Sequence, residues 1–454
     1  MYTGTDFRIA GPDTFEMMMP KGRDFKILQL TDLHMGFGLF SRRGDAQAKA
    51  AVTTLVERTQ PDLIVFTGDT VFPFFFKTGT INNRRQARKF MEFMDMFRIP
   101  YAFVMGNHDT EMGSRIGRRR LGELWTKGEY SIFAAGPENI FGTGNYFINL
   151  IPEESWADDR ATGTDAEPLQ SASSSYISRT PMALAFLDSN MYGDGWFFSG
   201  FDRIHTDQTD WCMKKLDELK SVNPSVRAMA FFHMPLKEFK DAYEQMKLGD
   251  TSIQYHFGGI GEKEDYFGIS RYKGDFFERA HANDTIMAMF CGHDHLNSLS
   301  LTYKGIRMTY GMSIDYNGYK GIAKKQIQRG GTLICVTDTG KVNVSPEPLS
   351  RVVSPRIRGM KELAEKAMDE LTRQADISRA RVKELEAEYR ARREAREARE
   401  KAARKTAEER RKAAKKEAEE RRKAAKKEAE ERRKAAKQLL EQREKEIKEA
   451  LRRK

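Results

Sequence analysis

Five short polar clusters within the first 300 residues carry side chains that can bind metal ions and act in hydrolysis. They are Asp32-Leu33-His34, Gly68-Asp69, Gly106-Asn107-His108-Asp109, His233 and Gly292-His293-Asp294-His295. Five of the eight histidines of the chain lie in these clusters. Carboxylate and amide oxygens are hard ligands and imidazole is a borderline one, so the set suits a two-metal hydrolytic centre.

The clusters must be positioned by the elements before them, and each follows a mostly apolar run typical of a buried strand. The five runs before the clusters are 25–30, 63–66, 101–105, 226–232 and 285–290, and a sixth run, 182–187, ends at Asp188-Ser189-Asn190. Segments of helical spacing at 47–58, 84–97 and 207–220 separate several of them. This alternation predicts an α/β domain with a largely parallel sheet and the clusters at its C-terminal edge. The stretch 297–348 alternates and contains Gly and Asp turns, which favours antiparallel hairpins.

The spacing within the clusters indicates which side chains can project together, and Asp32 and His34 could therefore bind one ion. Asp32 and His34 are alternate residues, as are His293 and His295, and in an extended segment such residues point to the same side. Asp69 has two carboxylate oxygens and can bridge two ions about 3.5–4 Å apart. Further donors are the amide oxygen of Asn107 and the imidazole of His233. A single buried histidine is usually structural, but five clusters in this order indicate a metal centre.

Charge is unevenly distributed along the 454 residues, whose net charge is +11. From Arg351 onward there are 37 Lys+Arg and 23 Asp+Glu, whereas the first 350 residues contain 40 and 43. The first 350 residues are therefore mildly acidic, and a uniformly basic surface for nucleic acid is excluded. The three cysteines (Cys212, Cys291 and Cys335) are too far apart for a disulfide framework or a thiolate metal site. We expect them to be small buried hydrophobic residues.

Targeting signals are not evident in the sequence. No basic segment followed by an apolar run begins the chain, and no apolar run approaches the length of a membrane span. We therefore predict a cytoplasmic protein without a transmembrane segment, unless a signal peptide has been removed. Residues 153–175 are polar and without periodicity, which predicts a surface loop or, alternatively, a lid over the substrate.

The sequence changes character after Pro355. Beyond Gly359 there is no Gly or Pro, and residues 408–440 contain an 11-residue repeat of charged residues and alanine. Pairs such as Glu417 and Arg421 have the i,i+4 spacing that stabilises a helix by about 0.2–0.5 kcal/mol. A helix from about 361 to 454 would be roughly 140 Å long. We therefore divide the chain into a domain at 1–350 and a long charged helix at 356–454.

Three roles are open for this helix. Only alanines interrupt the charge within the repeat, so no wide apolar face exists to be buried. An 11-residue period also matches a straight or slightly right-handed helix. We favour a free-standing helix over an oligomerising coiled coil. A basic arm that contacts a protein partner, nucleic acid or another acidic surface is the third alternative.

The order of the motifs resembles that of the calcineurin-like metallophosphoesterase superfamily, over about residues 25–345. Further segments resemble a narrower branch, the fungal cell-cycle-regulator phosphatases and the small plant purple-acid-phosphatase-like proteins. These are Leu187-Asp188-Ser189-Asn190, Gln208 with Trp211, Phe231-Phe232-His233-Met234-Pro235-Leu236 and Gly292-His293-Asp294-His295-Leu296-Asn297. The resemblance implies a four-layer α/β/β/α sandwich, an α/β (α+β) fold.

The resemblance also implies a role for each site residue. The first metal would be held by Asp32, His34, Asp69 and His295, and the second by Asp69, Asn107, His233 and His293. His108 would protonate the leaving-group oxygen or stabilise the transferring phosphoryl group, with Asp109 orienting its ring and raising its pKa. The implied nucleophile is a hydroxide held between the ions.

Two positions depart from the purple acid phosphatases. Those enzymes place a tyrosinate ligand three residues after the bridging aspartate, where this chain has Phe72, and they lack the first-motif histidine, here His34. We therefore expect no ferric–tyrosinate colour. Mn²⁺, Zn²⁺ or Fe²⁺ in a shell of nitrogen and oxygen donors is the expected pair of cofactors.

Several other residues receive structural interpretations. We expect His205, His256 and His281 to lie at the surface or in packing, with His256 alternatively bordering the substrate. The apolar runs Met17–Met19 and Phe74–Phe76 are expected to pack, although Pro73 places the phenylalanines in a loop where they could instead wall the cleft. Asp294 is expected to fix a neighbouring histidine.

Three functions are consistent with these patterns. The first hypothesis is a dinuclear-metal phosphatase acting on phosphomonoesters. The second is a phosphodiesterase or nuclease of the same superfamily, against which the non-basic first 350 residues argue. The third is an interaction or scaffold protein built on the long helix. The presence of all seven donor residues argues against a site that has lost its function.

Overall fold

The structure is a computed structural model. It describes residues 5–156, 180–193, 200–319, 329–349 and 378–409, and residues 411, 412, 432, 434–437 and 443. The chain divides into two compact units, Met1–Glu386 and Ala387–Lys454. The predicted boundary between 350 and 356 and most of the polar insertion 153–175 lie outside the described residues.

A mainly parallel sheet carries the first three clusters. Its strands are β3 (Phe25–Leu30), β4 (Leu63–Thr67), β5 (Tyr101–Val104), β6 (Ser131–Ile132), β14 (Gly330–Val336) and β15 (Val342–Pro348). Within the described residues their order is β15-β14-β3-β4-β5-β6, and β3 to β6 run parallel. All residues of β4 and β5 are buried, which explains their continuous apolar sequences.

A second, larger sheet carries the remaining two clusters. Its strands are β1 (Phe7–Gly11), β2 (Thr14–Met19), β7 (Tyr146–Pro152), β8 (Met182–Phe186), β9 (Arg227–Phe231), β10 (Gln254–Phe257), β11 (Ile286–Cys291), β12 (Ser300–Tyr303) and β13 (Ile306–Tyr310). In the part of the chain that is described, their order is β1-β2-β7-β8-β9-β11-β13-β12-β10. Strands β8, β9, β11 and β13 run parallel at the centre of this sheet.

Helices cover the outer faces of the two sheets. They are α1 (Arg42–Thr59), α2 (Phe75–Thr78), α3 (Asn83–Met94), α4 (Arg118–Trp125), α5 (Thr206–Val222), α6 (Lys237–Lys247) and α7 (Phe276–Asn283). Helix α1 contacts β3 and β14 of the smaller sheet. Leu216 of α5, Phe239 of α6 and Phe276 of α7 share one hydrophobic cluster with Ala185 and Ala230 of the larger sheet.

The two sheets face each other across a row of stacked aromatic rings. Tyr146, Phe186, Phe231 and Phe290 lie on four neighbouring strands, with successive ring centroids 4.6, 5.2 and 5.1 Å apart. The Tyr146 hydroxyl donates to the carbonyl of Phe103 on β5 at 2.8 Å, so the row lies between the sheets. The layers are therefore helix, sheet, sheet and helix, and the predicted mixed α/β fold is confirmed.

The prediction of antiparallel hairpins over 297–348 is correct for two strand pairs. Strand β12 pairs with β13, and β14 pairs with β15, both antiparallel. The pairs belong to different sheets, because β13 also runs parallel to β11 while β14 pairs with β3. The chain thus crosses from one sheet to the other after residue 310.

A C-terminal helix, α8, spans residues 378–409. Its first turns belong to the larger unit, where Val382 and Leu385 are buried and Arg381 lies 3.0 Å from Glu57. From residue 393 to 409 every residue is exposed. Most of the 11-residue repeat lies outside the described residues. Among the helices that the structure describes, none combines the length and the apolar composition needed to cross a membrane.

Candidate metal centre

The five clusters meet because each begins just beyond the C-terminal end of a parallel strand. The strands β3, β4 and β5 end at Leu30, Thr67 and Val104, and β9 and β11 of the other sheet end at Phe231 and Cys291. Both sheets therefore present their carboxyl edges to one place, where ligands bind in open α/β sheets.

Four non-glycine residues of the clusters have left-handed backbone. The φ angles are 51° at Asp32, 48° at His34, 49° at Asp69 and 78° at His293. The expectation that Asp32 and His34 lie in an extended segment is therefore wrong, although their side chains do converge. Non-glycine residues in this region are strained, and such strain concentrates at functional sites.

Asp69 lies between two groups of histidines and is fully buried. Its Oδ2 atom is 3.4 Å from Nε2 of His34 on one side and 3.3 Å from Nε2 of His233 on the other. Its Oδ1 atom accepts a hydrogen bond from the amide of His108 at 2.7 Å. The Oδ2 atom has no hydrogen-bond partner among the described residues. A single carboxylate oxygen thus faces both groups.

The first group consists of Asp32, His34 and His295, whose donor atoms lie within 4.8 Å of one another. Nε2 of His295 is 3.6 Å from Oδ1 of Asp32. The carboxylate of Asp315 lies behind both histidines, 3.9 Å from Nδ1 of His34 and 3.2 Å from Nδ1 of His295. Asp315 therefore lies on the Nδ1 side of both rings, and both Nε2 atoms face the carboxylates of Asp69 and Asp32.

The second group consists of Asp69, His233 and His293 with the side chain of Asn107. Nδ1 of His233 lies 2.8 Å from the carbonyl of Thr67, so it carries a proton, and Nε2 is the ring nitrogen that faces the second group. That Nε2 atom lies 3.0 Å from Oδ1 of Asn107 and 3.3 Å from Nδ1 of His293. The structure thus brings together all seven residues that the sequence proposed as ligands.

The electrostatics of the second group follow from burial and the central carboxylate. Burial opposes the charged form of Asp69, but its histidine neighbours hold its pKa well below the usual range. Burial also disfavours a charged His233, yet the carboxylates of Asp69 and Asp32 raise its pKa to about 9. Burial and the proximity of His233 keep the pKa of His293 well below its ordinary value. His293 is thus a neutral donor.

Unpartnered buried atoms test whether metal ions fit this arrangement. Within the described residues, neither ring nitrogen of His34 nor Oδ2 of Asp69 has a hydrogen-bond partner, although both residues are fully buried. Buried polar atoms are nearly always satisfied, so these atoms require a ligand. Imidazole nitrogens and carboxylate oxygens are donors that divalent transition metals accept. The residues present therefore fit two adjacent cations.

Comparison with known proteins identifies the family. Residues 25–297 match the family described as calcineurin-like phosphoesterase. The chain belongs to this family. It is thus a metal-dependent hydrolase of ester bonds in a family that uses two metal ions, and the predicted resemblance is confirmed.

Relatives of this phosphoesterase include plant and fungal proteins of the predicted branch. A "probable inactive purple acid phosphatase 29" of Arabidopsis thaliana is 26% identical over 320 residues, covering 65% of this chain and 73% of the relative. "Phosphatase DCR2" of Saccharomyces cerevisiae is 28% identical over 299 residues, covering 61% of this chain and 45% of the relative. Among solved structures, a dimetal phosphatase from Danio rerio matches with a TM-score of 0.44 at 10% identity, covering 72% and 96% of the two chains.

His108 of the phosphoesterase lies beside the first group, but its partner differs from the prediction. Its Nδ1 atom contacts the carboxylate of Glu111. The carboxylate of Asp109 instead accepts hydrogen bonds from the amides of Val71 at 2.9 Å and Gly106 at 2.8 Å. The expectation that Asp109 orients the ring of His108 is therefore wrong. Asp109 instead fixes the backbone at Val71 and Gly106 through these hydrogen bonds.

Asp294 also has partners that the sequence did not predict. Its carboxylate accepts a hydrogen bond from the Tyr310 hydroxyl at 2.9 Å and from the amide of Gly268 at 3.0 Å, rather than from a histidine. Gly268 lies so close to the site that a Cβ atom there would be 2.5 Å from Cδ2 of His293. Asp294 thus holds the 268 loop against the ring of His293.

Phe72 occupies the position of the purple-enzyme tyrosinate. Its ring lies edge-on to His34 and His108, with centroids 4.9 and 5.2 Å away. An apolar ring at this position adds no donor to the centre. The run Phe74–Phe76 that follows is exposed, so the prediction that it packs is wrong, and Phe74 contacts Phe72 at 5.7 Å.

The remaining sequence interpretations have mixed outcomes. Met17 and Met19 are buried on β2, and so are Cys212 and Cys291, whereas Cys335 is partly exposed. His205 stacks on Phe141, His281 is exposed, and Nε2 of His256 lies 2.8 Å from the hydroxyl of Thr302.

Three site residues of the phosphoesterase were missed at the level of sequence. Arg118 is partly buried, donates to the carbonyls of Gly106 and Met105, and pairs with Asp188. Asp315 and Glu111 contact site histidines, as described above. Asp315 had no readable signal, because it lies five residues beyond the end of β13, whereas each cluster begins within two residues of the end of its strand. Glu111 and Arg118 had none, because each acts from a loop or a helix start.

Proposed function

We propose that this protein is a phosphatase that hydrolyses phosphomonoesters with two divalent metal ions. The observation that carries the proposal is the Oδ2 atom of Asp69, which has no hydrogen-bond partner in the described part of the chain and lies 3.3–3.4 Å from histidine nitrogens on both sides. A carboxylate in that position can bridge two ions.

The ligand sets follow from the two groups. Asp32, His34, Asp69 and His295 would hold one ion, and Asp69, Asn107, His233 and His293 would hold the other. Mn²⁺, Zn²⁺ and Fe²⁺ suit a shell of nitrogen and oxygen donors. When bound, the two cations supply Lewis-acid stabilisation of the phosphoryl oxygens and a nucleophile activated at neutral pH.

The chain itself supplies a proton at His108. Because Glu111 contacts Nδ1, the Nε2 atom is the one available to a leaving-group oxygen. Burial alone would lower the pKa of His108, but the carboxylates of Asp69 and Glu111 raise it. A protonated imidazole can then act as the general acid.

Two observations favour monoester over diester hydrolysis. The yeast relative is named a phosphatase. The first 350 residues contain 40 basic and 43 acidic residues, a balance that gives little overall attraction to long nucleic acids. The Arabidopsis relative is named "probable inactive", and the presence of all seven donor residues in this chain is what supports activity here.

Steady-state rates on an aryl phosphate and on the corresponding bis-aryl diester, with Mn²⁺, Zn²⁺ or Fe²⁺ added to metal-free protein, test this function. We expect the monoester to have the higher kcat/KM. A clear preference for the diester would instead favour a phosphodiesterase or nuclease. No turnover of either ester with any metal would support the third hypothesis, a scaffold built on the helix.

For the tail, beyond a catalytic domain at 1–350, we propose a charged helix that is free-standing after its first, packed turns, from about residue 393 onward. It is supported by i,i+4 pairs of Arg393 with Glu397, Arg396 with Glu400, and Lys412 with Glu408. A cytoplasmic location and a protein partner or acidic surface for the helix remain predictions. Light scattering of the full chain tests the proposal, because a coiled coil would give a dimeric or larger mass.

A further inference from the structure

Positive charge predominates in three loops, with the helix starts that adjoin them, beside the metal centre. Residues 36–43, 71–89 and 110–120 contain two, five and four Lys or Arg, with Glu111 as their single acidic residue. Glu111 is already paired with His108. The remainder of the first 350 residues is therefore clearly acidic, and this positive charge is local.

Hydrogen bonds join the three loops into one surface. The amide of Phe40 donates to the carbonyl of Thr78 at 3.2 Å, and the amide of Arg115 donates to the carbonyl of Ile81 at 3.1 Å. The rings of Phe40 and Phe75 are 6.2 Å apart. The loops follow β3, β4 and β5, the same strands that carry the first three clusters.

The tips of these loops expose large apolar side chains. We call them the apolar rim, which consists of Leu39, Phe40, Phe75, Phe76, Ile81 and Met112. Phe76 is 81% and Met112 is 90% accessible. Exposed apolar patches edged by polar residues mark interaction sites.

Arginines flank the rim without a structural reason. Arg42 and Arg43 lie in the first turn of α1, and Arg84 and Arg85 in the first turn of α3. Positive side chains at a helix N-terminus oppose the helix dipole, so helix stability does not account for them. All four are exposed, and within the described residues none of them forms an ion pair.

We propose that the apolar rim and its arginines dock onto an anionic lipid bilayer. Apolar side chains that protrude from loop tips can enter the interfacial region of a membrane, while adjacent arginines bind anionic headgroups. Nucleic acid fits less well, because the aliphatic Leu39, Ile81 and Met112 offer no ring on which a base stacks. The metal centre lies directly behind the rim, since Phe74 contacts Phe72 and Phe72 contacts His34 and His108.

Vesicle binding of the full chain tests the proposal. The vesicles are phosphatidylcholine alone or with about one third phosphatidylserine, a composition that sets a negative surface potential. We expect Phe75→Ser/Phe76→Ser to weaken binding to the anionic vesicles about tenfold or more, because the variant lacks two rings that would enter the bilayer. Leu248→Ser is the matched control, because Leu248 is 88% exposed outside the rim. Thermal unfolding confirms that each variant is folded.

The basic C-terminal segment also attracts anionic lipid, so a reporter on the rim is required. Phe76→Trp should show fluorescence quenching by brominated lipids, whereas Leu248→Trp should not. Arg42→Gln/Arg43→Gln should weaken binding to anionic vesicles and reduce its dependence on salt.

Three results would overturn the proposal. The first is that Phe75→Ser/Phe76→Ser binds the vesicles as tightly as the parent, and the second is that brominated lipids do not quench Phe76→Trp. The third is that Phe75→Ser/Phe76→Ser loses binding to an oligonucleotide while its vesicle binding is unchanged. The last result would assign the surface to nucleic acid. None of these readouts depends on phosphatase activity, so the proposed function is tested separately.

Discussion

Glu111, and not the adjacent Asp109, contacts the imidazole of His108. Glu111 lies three residues after His108, and its carboxylate contacts the Nδ1 atom of the ring. This contact leaves Nε2 directed away from Glu111, and it supports the protonated ring. Glu111 is therefore a positioning residue for the proposed general acid.

Replacement of Glu111 by Gln should lower kcat on an aryl phosphate about tenfold to a hundredfold, with a smaller change in KM. Because the carboxylate raises the pKa of His108, the basic limb of the pH–rate profile should move to lower pH in the variant. Glu138→Gln, at an exposed pair with Arg119, is the matched control. An unchanged pH–rate profile with a reduced kcat would mean that Glu111 maintains the loop conformation and does not set the pKa of His108.

Asp69→Asn should abolish activity and the binding of both ions, because one oxygen faces both groups. We expect kcat to fall by about four orders of magnitude or more, as for the loss of a central catalytic group. Metal content by mass spectrometry, with circular dichroism as the test of folding, measures the effect. Two ions retained at parental affinity would contradict the bridging role.

Asp315→Asn should weaken metal binding about tenfold to a hundredfold, because its carboxylate faces Nδ1 of both His34 and His295. The backbone amides of Asn317 and Gly318 also donate to this carboxylate, which fixes its position. Titration of metal-free protein with Mn²⁺ or Zn²⁺ provides the measurement. Asp338→Asn, at an exposed turn, should bind both ions like the parent.

Gly268→Ala should displace the ring of His293, since the added Cβ would lie 2.5 Å from Cδ2 of that ring and 2.6 Å from Oδ1 of Asp294. We expect weaker binding of the second ion and a kcat about tenfold lower or more. Gly259→Ala is the control, because nothing lies within 4 Å of a Cβ at that position. Parental metal stoichiometry and affinity in the Gly268 variant would show that the ring adapts.

The strand ends and the ligand types could be predicted from sequence because both depend on local pattern. Apolar runs of four to six residues followed by Asp, Asn or His are readable, and β3, β4 and β5 lie where they were expected. The partners of the ligands were not readable. Asp315 reaches His34 from 281 residues away in sequence, and only the crossing between the two sheets after residue 310 brings them together.

Backbone conformation explains the other errors. The left-handed φ angles at Asp32 and His34 replace the extended geometry that alternate spacing suggested. Glu111 lies three residues beyond His108, so a turn, not adjacency, decides which carboxylate reaches the ring. For Phe74–Phe76, apolar composition predicted burial, whereas Pro73 and the short helix α2 direct the run to the surface.

Asp13 links the first hairpin to helix α5 and gives a test of stability away from the metal centre. Its carboxylate accepts hydrogen bonds from Nζ of Lys215 at 2.8 Å and Nε1 of Trp211 at 3.2 Å. Burial raises the pKa of Asp13, but Lys215 outweighs it and the net shift is downward. The carboxylate therefore stabilises the fold above its unfolded pKa of about 3.9, and this contribution is lost as pH falls through the lower folded pKa.

Asp13→Ala should reduce the free energy of unfolding by about 1–3 kcal/mol at neutral pH, because the buried Trp211 donor loses its acceptor. Urea denaturation measures this loss, and repeating it in acid should show a smaller difference between variant and parent. Asp338→Ala, at an exposed turn, should have little effect at either pH. A difference that stays constant between neutral and acid pH would show that packing, and not the charge of Asp13, stabilises this contact.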